Sequence, residues 1–232
     1  MSTTGLALGG VLFDMDGLLV DSEPLWTVAE TDLARDLGAV WSPQLKAAVI
    51  GTRLDAAVPI ILRELGVGTD PATVARTQGW LLARMTALFT ERALPLLPGA
   101  RGLLDALTEA GVPCALVSSS YRVLVDTVLD RLGDHPFRVT IAGDEVAQAK
   151  PDPEPYRLAA EGLGADPGSC VVLEDSVTGA TAGVAAGCVT VLVPGGTVPP
   201  PAVAGGWLLR RSLLELDPGR LAGLLSPMDH VV

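Results

Sequence analysis

Val11-Leu12-Phe13-Asp14-Met15-Asp16-Gly17 is the stretch on which the rest of the chain turns. Gly10 to Phe13 carry apolar side chains or none and read as a buried strand. Asp14 and Asp16 come next at i and i+2, and then Gly17. In an extended chain these positions point to the same side, so the two carboxylates converge just past the strand's carboxyl end. In an open α/β sheet that edge is where ligands bind. Like charges so close require a cation or a proton between them. A strand that closes in a polar turn uses the same residue types, so the meaning of the stretch depends on the remainder of the chain.

The chain has 232 residues, 49% hydrophobic and 19% charged, a globular composition with room for one large domain or a core with an insert. No apolar run of about 18 uncharged residues occurs, so no membrane span is expected. Met1 to Phe13 is apolar but lacks Lys and Arg and runs straight into the acidic motif, unlike a signal peptide. A cytoplasmic location is expected. The net charge of −11 disfavours nucleic acid and anionic membranes as partners. A small anionic substrate remains compatible if local cations or a metal receive it. Cys114, Cys170 and Cys188 fit no zinc spacing and read as small buried thiols in a reducing compartment.

Residues 21 to 94 carry helical signals alone. Ser22 is a candidate N-cap with Pro24 in the first turn, and Leu25, Val28, Ala29, Leu33 and Leu37 recur at helical spacing. Further helices are expected from Pro43 to Gly51, over Leu54–Leu65, and from Pro71 to about Arg92. Beyond Pro95 the pattern changes. Strand-like runs at Cys114–Val117, Val139–Ala142, Val171–Leu173, Val189–Val193 and Trp207–Leu209 alternate with helical segments, and Pro199–Pro201 reads as a stiff loop. Such alternation implies a parallel sheet covered on both faces. The helical block between the first two strands is too long for a crossover helix and reads as an inserted cap.

Each apolar strand ends in polar residues: Asp14 and Asp16, then Ser118, then Glu174 and Asp175, with Lys150 after the third strand. In a parallel sheet these ends share one edge. Carboxylates supply hard oxygen ligands suited to Mg²⁺. A lysine and a hydroxyl can hold a phosphoryl group. A carboxylate can attack phosphorus, and a second at i+2 can move the leaving-group proton. Taken singly, Ser118 also reads as a turn or cap, Lys150 as a surface charge, and Glu174-Asp175-Ser176 as a helix cap.

In this order the residues resemble the haloacid dehalogenase superfamily of phosphohydrolases. Asp14-Met15-Asp16-Gly17 looks like its first motif, Val117-Ser118-Ser119-Ser120 its second, Lys150-Pro151-Asp152-Pro153 its third, and Glu174-Asp175-Ser176 with Gly179 its fourth. The insert resembles the helical cap shared by β-phosphoglucomutases and sugar-phosphate phosphatases. The resemblance implies a Rossmann-like parallel-sheet core, residues 1–20 and 95–232, with a four-helix-bundle cap, residues 21–94. It implies Asp14 as nucleophile and metal ligand. Asp16 becomes general acid and base, with its carbonyl on Mg²⁺. Ser118, Ser119 and Lys150 hold phosphate, and Glu174 and Asp175 hold metal. Asp16 argues against a dehalogenase, because displacing halide needs no proton donor.

The cap is expected to set the substrate. Asp21-Ser22-Glu23-Pro24-Leu25-Trp26 resembles phosphatases of hexose or hexitol phosphates. In β-phosphoglucomutases a histidine stands where Trp26 stands, which weakens a mutase reading. Arg53, in a cap loop, is a candidate for substrate contact, and Arg122, beside Tyr121, a weaker one. The bland alternatives are cap core for Trp26 and a surface charge for Arg53. The expectation is a Mg²⁺-dependent, monomeric phosphatase of small phosphorylated metabolites. The alternatives are a β-phosphoglucomutase-type mutase and a phospho-acceptor signalling module. The long cap and the Asp-x-Asp pair argue against the signalling module.

Overall fold

The computed structural model describes residues 8–49, 51–194 and 206–226. Its centre is strand β1, Gly10–Phe13, buried at every position. Five more strands join it in one sheet: β2 (Cys114–Val117), β3 (Phe137–Ile141), β4 (Cys170–Glu174), β5 (Val189–Leu192) and β6 (Leu208–Leu209). The order is β3-β2-β1-β4-β5-β6, and every pairing is parallel. Central strands of such a sheet are covered on both faces, which explains the unbroken apolar runs. Val11 and Phe13 join one core cluster and Leu12 another, as strand alternation requires.

The sheet matches the expectation, and two of its details differ. The third strand starts at Phe137, two residues before the expected Val139. Phe137 packs edge-on against Phe13 with ring centroids 5.8 Å apart, an anchor invisible in a sequence where Arg138 interrupts the run. The fourth strand extends through Glu174, so that carboxylate is a buried strand residue and not part of the turn. The Pro199–Pro201 loop lies outside the described residues.

Between β1 and β2 the described residues first form four helices: α1 (Glu23–Asp36), α2 (Pro43–Val49), α3 (Leu54–Glu64) and α4 (Pro71–Glu91). Helix α4 opens as its sequence dictates. Asp70 accepts from the Ala72 and Thr73 amides, both at 3.1 Å, with Pro71 in the first turn. Helix α1 does not. Ser22 makes no capping bond, because its hydroxyl points at Asp16 instead. The two chain crossings lie side by side. The Asp21 amide donates to the Pro95 carbonyl and the Leu97 amide to the Leu19 carbonyl, each at 3.0 Å. After the crossing come α5 (Ala100–Glu109), α6 (Arg122–Leu132), α7 (Glu154–Leu163), α8 (Val177–Ala185) and α9 (Pro218–Gly223). One apolar cluster runs unbroken from the β1 face of the sheet into α1, α3 and α4.

The strand order reverses direction between β1 and β4. Such a switch point opens a crevice at the carboxyl ends of the strands.

Candidate active site

At that crevice the ends of β1, β2 and β4 converge on one ammonium group. Lys150 Nζ donates to Asp14 Oδ1 at 2.6 Å, to Glu174 Oε1 at 2.6 Å and to the Val117 carbonyl at 3.0 Å. Tyr156, on α7, donates its hydroxyl to Glu174 Oε1 at 2.7 Å and sets its ring 4.9 Å from the ammonium. The other Glu174 oxygen accepts the amide and the hydroxyl of Ser176, and that hydroxyl in turn caps α8 by accepting from the Gly179 amide. Glu174 is thus fully buried and fully partnered, as a buried charge must be.

Carboxylate oxygens of Asp14, Glu174 and Asp175 all lie within 4.8 Å of one another. Burial pushes the Asp14 carboxyl well above its usual range. Lys150 opposes that shift, while Glu174 and Asp16 add to it. Asp175 is pushed up likewise, by burial first and then by Asp14 and Glu174. For Lys150, burial acts downward, but the two carboxylates outweigh it and the ammonium holds its proton more tightly than usual. One cation among three acids leaves charge uncompensated. Three hard oxygen donors around a common point suit a hard divalent cation, so the residues fit the metal that such a cluster implies.

The backbone closes tightly on this cluster. A Cβ at Gly179 would lie 1.7 Å from Glu174 Oε1, and one at Gly17 would lie 2.2 Å from Asp175 Oδ2. Gly17 also takes φ +82°, which a side chain would strain.

Asp16 sits apart from the acidic trio. Its Oδ1 accepts from the Ser22 hydroxyl at 2.5 Å. Its Oδ2 accepts from Ser120 at 2.8 Å and from Ser118 at 3.2 Å. Ser118 Oγ also accepts the Ser120 amide at 2.9 Å. Sequence reasoning does not single out Ser22, Ser120 or Tyr156 for these roles. The run Ser118-Ser119-Ser120 hints at Ser120, but Ser22 reads as a cap, and Tyr156 carries no signal beyond its helix.

Above these groups lies a cavity of about 730 Å³. The sheet side contributes Asp14, Asp16, Ser119, Ser120, Lys150, Glu174 and Asp175, and the helical side contributes Glu23, Trp26, Glu30 and Lys46. Lys46 Nζ lies 2.8 Å from Glu23 and 3.1 Å from Glu30. Burial pushes the Glu30 carboxyl up to about 7 despite the pull of Lys46.

Trp26 therefore faces the cavity, whereas neither Arg53 nor Arg122 lines it. Arg53 forks onto Asp55 and donates to the Gly143 and Val146 carbonyls, both at 3.1 Å. Arg122 is spent on Glu145, Asp126 and Thr140. Both guanidinium groups have their donors committed to protein partners.

A family model of haloacid dehalogenase-like hydrolases matches residues 8–187. Hexitol phosphatase B of Escherichia coli (strain K12) is 36% identical over 197 residues, covering 84% of this chain and 86% of that protein. A plasmid-encoded phosphoglycolate phosphatase of Cupriavidus necator is 33% identical over 231 residues, covering 96% and 99%. Among solved structures, CbbY from Rhodobacter sphaeroides, crystallised with phosphate and also with xylulose-(1,5)bisphosphate, superposes with TM-score 0.81 at 29% identity, covering 90% of this chain and 96% of that one. With the strand order, the acidic cluster and the lysine in place, these similarities establish that the chain belongs to the haloacid dehalogenase-like hydrolases.

Proposed function

We propose that this chain is a Mg²⁺-dependent phosphatase of small phosphorylated metabolites, hexose or hexitol phosphates in particular, working through an aspartyl-phosphate. The observation that carries the reading is the grouping of Asp14, Lys150, Glu174 and Asp175 at the switch point, with Asp16 two residues on. The names of the relatives, hexitol phosphatase above all, support the substrate class. Trp26 facing the cavity supports a phosphatase over a mutase, since the mutase histidine is missing there.

In the proposed first step an Asp14 carboxylate oxygen bonds to phosphorus as the bond to the leaving oxygen breaks, and Asp16 gives that oxygen its proton. Lys150 and Ser118 hold the phosphoryl oxygens, with Ser119 beside them. In the second step Asp16 takes a proton from water, the water oxygen bonds to phosphorus, and Asp14 is released with inorganic phosphate. Asp14, Asp175, Glu174 and the Asp16 carbonyl would hold the metal, which when bound supplies neutralising charge to the transferring group. Ser22 and Ser120 fix the Asp16 carboxyl for both transfers.

In this reading residues 21–94 form a cap over the core made by residues 1–20 and 95–232, and the paired crossings at Leu19–Asp21 and Pro95–Leu97 support that division. The chain acts as a monomer in the cytoplasm, and its three buried, free cysteines suit a reducing compartment. No described helix is long and apolar enough to cross a membrane.

Phosphate release from a panel of sugar phosphates with Mg²⁺ tests the reading, with EDTA and Asp14→Asn as controls. Metal-dependent release that disappears in the variant is expected. Full turnover by a clean Asp14→Asn preparation would overturn the nucleophile. A sugar bisphosphate formed with little phosphate released would replace the phosphatase by the mutase.

A further inference from the structure

The helical wall of the cavity carries its own charge pattern. Among the described residues, the charged side chains that α1–α4 bring to it are Glu23, Glu30 and Lys46. Lys46 is bracketed by both acids, at 2.8 Å and 3.1 Å. Glu30 is buried on α1 and Lys46 is only 19% exposed. Above about pH 7, where Glu30 has given up its proton, the group carries one net negative charge, and the comparison below is made there. Arg53, the other cation nearby, is turned away onto Asp55 and two carbonyls. The rest of this wall is mostly apolar, with Leu54, Ala57, Ile61, Leu81 and Leu82.

We infer that the Glu23–Lys46–Glu30 triad selects a leaving group that is uncharged and hydroxylated, and rejects phosphate esters carrying a second anionic group. The inference rests on the phosphatase reading and narrows its substrate. A second phosphate or a carboxylate would find the lysine already paired and two carboxylates facing it, one of them buried, and like charges repel. A purely apolar leaving group would strip water from a buried ion pair and give nothing back. A polyol meets both demands. Its hydroxyls donate to Glu23 and Glu30 and accept from Lys46, while its carbon chain lies against Trp26 and the leucines. Carboxylates accept such bonds well, and specificity of this kind works by leaving the wrong ligand's polar groups unpaired.

The test compares kcat/KM for sorbitol 6-phosphate and 6-phosphogluconate, which differ in charge at the far end of one carbon skeleton, with p-nitrophenyl phosphate as a probe of the chemistry alone. The natural chain is expected to favour sorbitol 6-phosphate at least about 20-fold. The double variant Glu23→Gln/Glu30→Gln, which frees Lys46, is expected to reduce that ratio about tenfold or invert it. A ratio of two substrates on one preparation does not depend on the folded fraction, and single Glu23→Gln, at the more exposed acid, gives the same readout with less risk to folding. Equal rates on both substrates in the natural chain, or an unchanged ratio in the variants, overturns the inference while release from p-nitrophenyl phosphate keeps the phosphatase. No release from any of the three compounds overturns the phosphatase reading and this inference with it.

Discussion

The two halves of the cavity are built on opposite plans. On the sheet side the polar groups are locked to one another: Lys150 to two carboxylates and a carbonyl, Glu174 to Tyr156 and Ser176, Asp16 to three serines, with Asp175 beside them. These groups hang from strand ends buried on both faces, so their spacing is set by the sheet itself. On the helical side the wall is mostly apolar, with one ion triad and one tryptophan. It is tied to the sheet unit by the two crossings, by Arg53 on the Gly143 and Val146 carbonyls, by Arg131 on the Phe89 and Thr90 carbonyls, and by shared apolar core. On the proposed reading the difference separates two tasks. Chemistry that must be placed to within a fraction of an ångström sits on the rigid edge. Discrimination, which needs only the right polarity, sits on helices that hydrogen bonds and packing hold in place.

The largest test of that contrast is at the rigid edge. Lys150→Met keeps volume and removes the ammonium between Asp14 and Glu174. The reaction would lose a phosphate-holding cation, and turnover is expected to fall about 10³-fold or more. Breaking a buried ion pair also costs about 3–5 kcal/mol, so a melt should show the loss. Added Mg²⁺ should recover part of the melting temperature, because a second cation can serve the same carboxylates. An unchanged melting temperature without metal would mean that the lysine does not hold the cluster together.

Gly179→Ala probes the same edge without removing a charge. The new Cβ would stand 1.7 Å from Glu174 Oε1, so the carboxylate or the start of α8 must move. Overpacking of this kind costs about 1–3 kcal/mol, and metal affinity measured by calorimetry should fall about tenfold as the donor is displaced. Arg53→Ala crosses to the other half. It deletes two charge-assisted bonds to carbonyls of the core, each worth roughly 1.5–3 kcal/mol gross, although the partly exposed site leaves less. A drop of about tenfold in kcat/KM on a hexitol phosphate is expected, with little change on p-nitrophenyl phosphate, which depends less on the helical wall. Equal losses on both would place Arg53 with the chemistry and not with the attachment of the wall.

The same contrast decides what can be read from the residues alone. The rigid edge is legible because its grammar is short-range: an apolar run, then a polar residue, three times over, with Lys150 following the third strand. Topology does the rest, since parallel strands bring their ends together however far apart they lie in sequence. Asp14, Lys150, Glu174 and Asp175 meet for that reason. Ser22 misleads, because a serine two residues before a proline satisfies the local rule for a helix start, while its actual partner, Asp16, is reached only when the chain doubles back. The helical wall is hardly legible at all. Glu30 and Lys46 occupy ordinary positions on amphipathic helices, where charge usually means solvent, and only the reach of the Lys46 side chain from α2 to α1 turns them into a close pair. Arg53 reads towards substrate because it lies in a cap loop after a glycine, yet its guanidinium has nearer partners in Asp55 and the Gly143–Val146 turn.

The smallest effect expected lies in that pair and is visible in pH. Glu30 faces Lys46 and Glu23, and its carboxyl is raised from 4.5 to about 7, chiefly by burial. The folded chain thus keeps a proton that the unfolded chain releases near its ordinary value. Stability from this group is fully present below about 4.5, declines as the pH rises through 7, and is gone above it. A shift of that size sets a ceiling of about 3 kcal/mol, and solvent screening from the cavity beside the carboxylate lowers the expected part to about 1 kcal/mol, or about 2–4 °C in melting temperature. Asp14 and Asp175, also raised, give the chain a slope of the same sign, so the informative quantity is a difference. Between pH 5 and pH 8 the natural chain should lose more melting temperature than Glu30→Gln does, with the two curves separating up to about pH 7 and no further above it. Parallel curves would mean that Glu30 stays ionised and solvated throughout, which would make the helical wall softer and wetter than its packing implies.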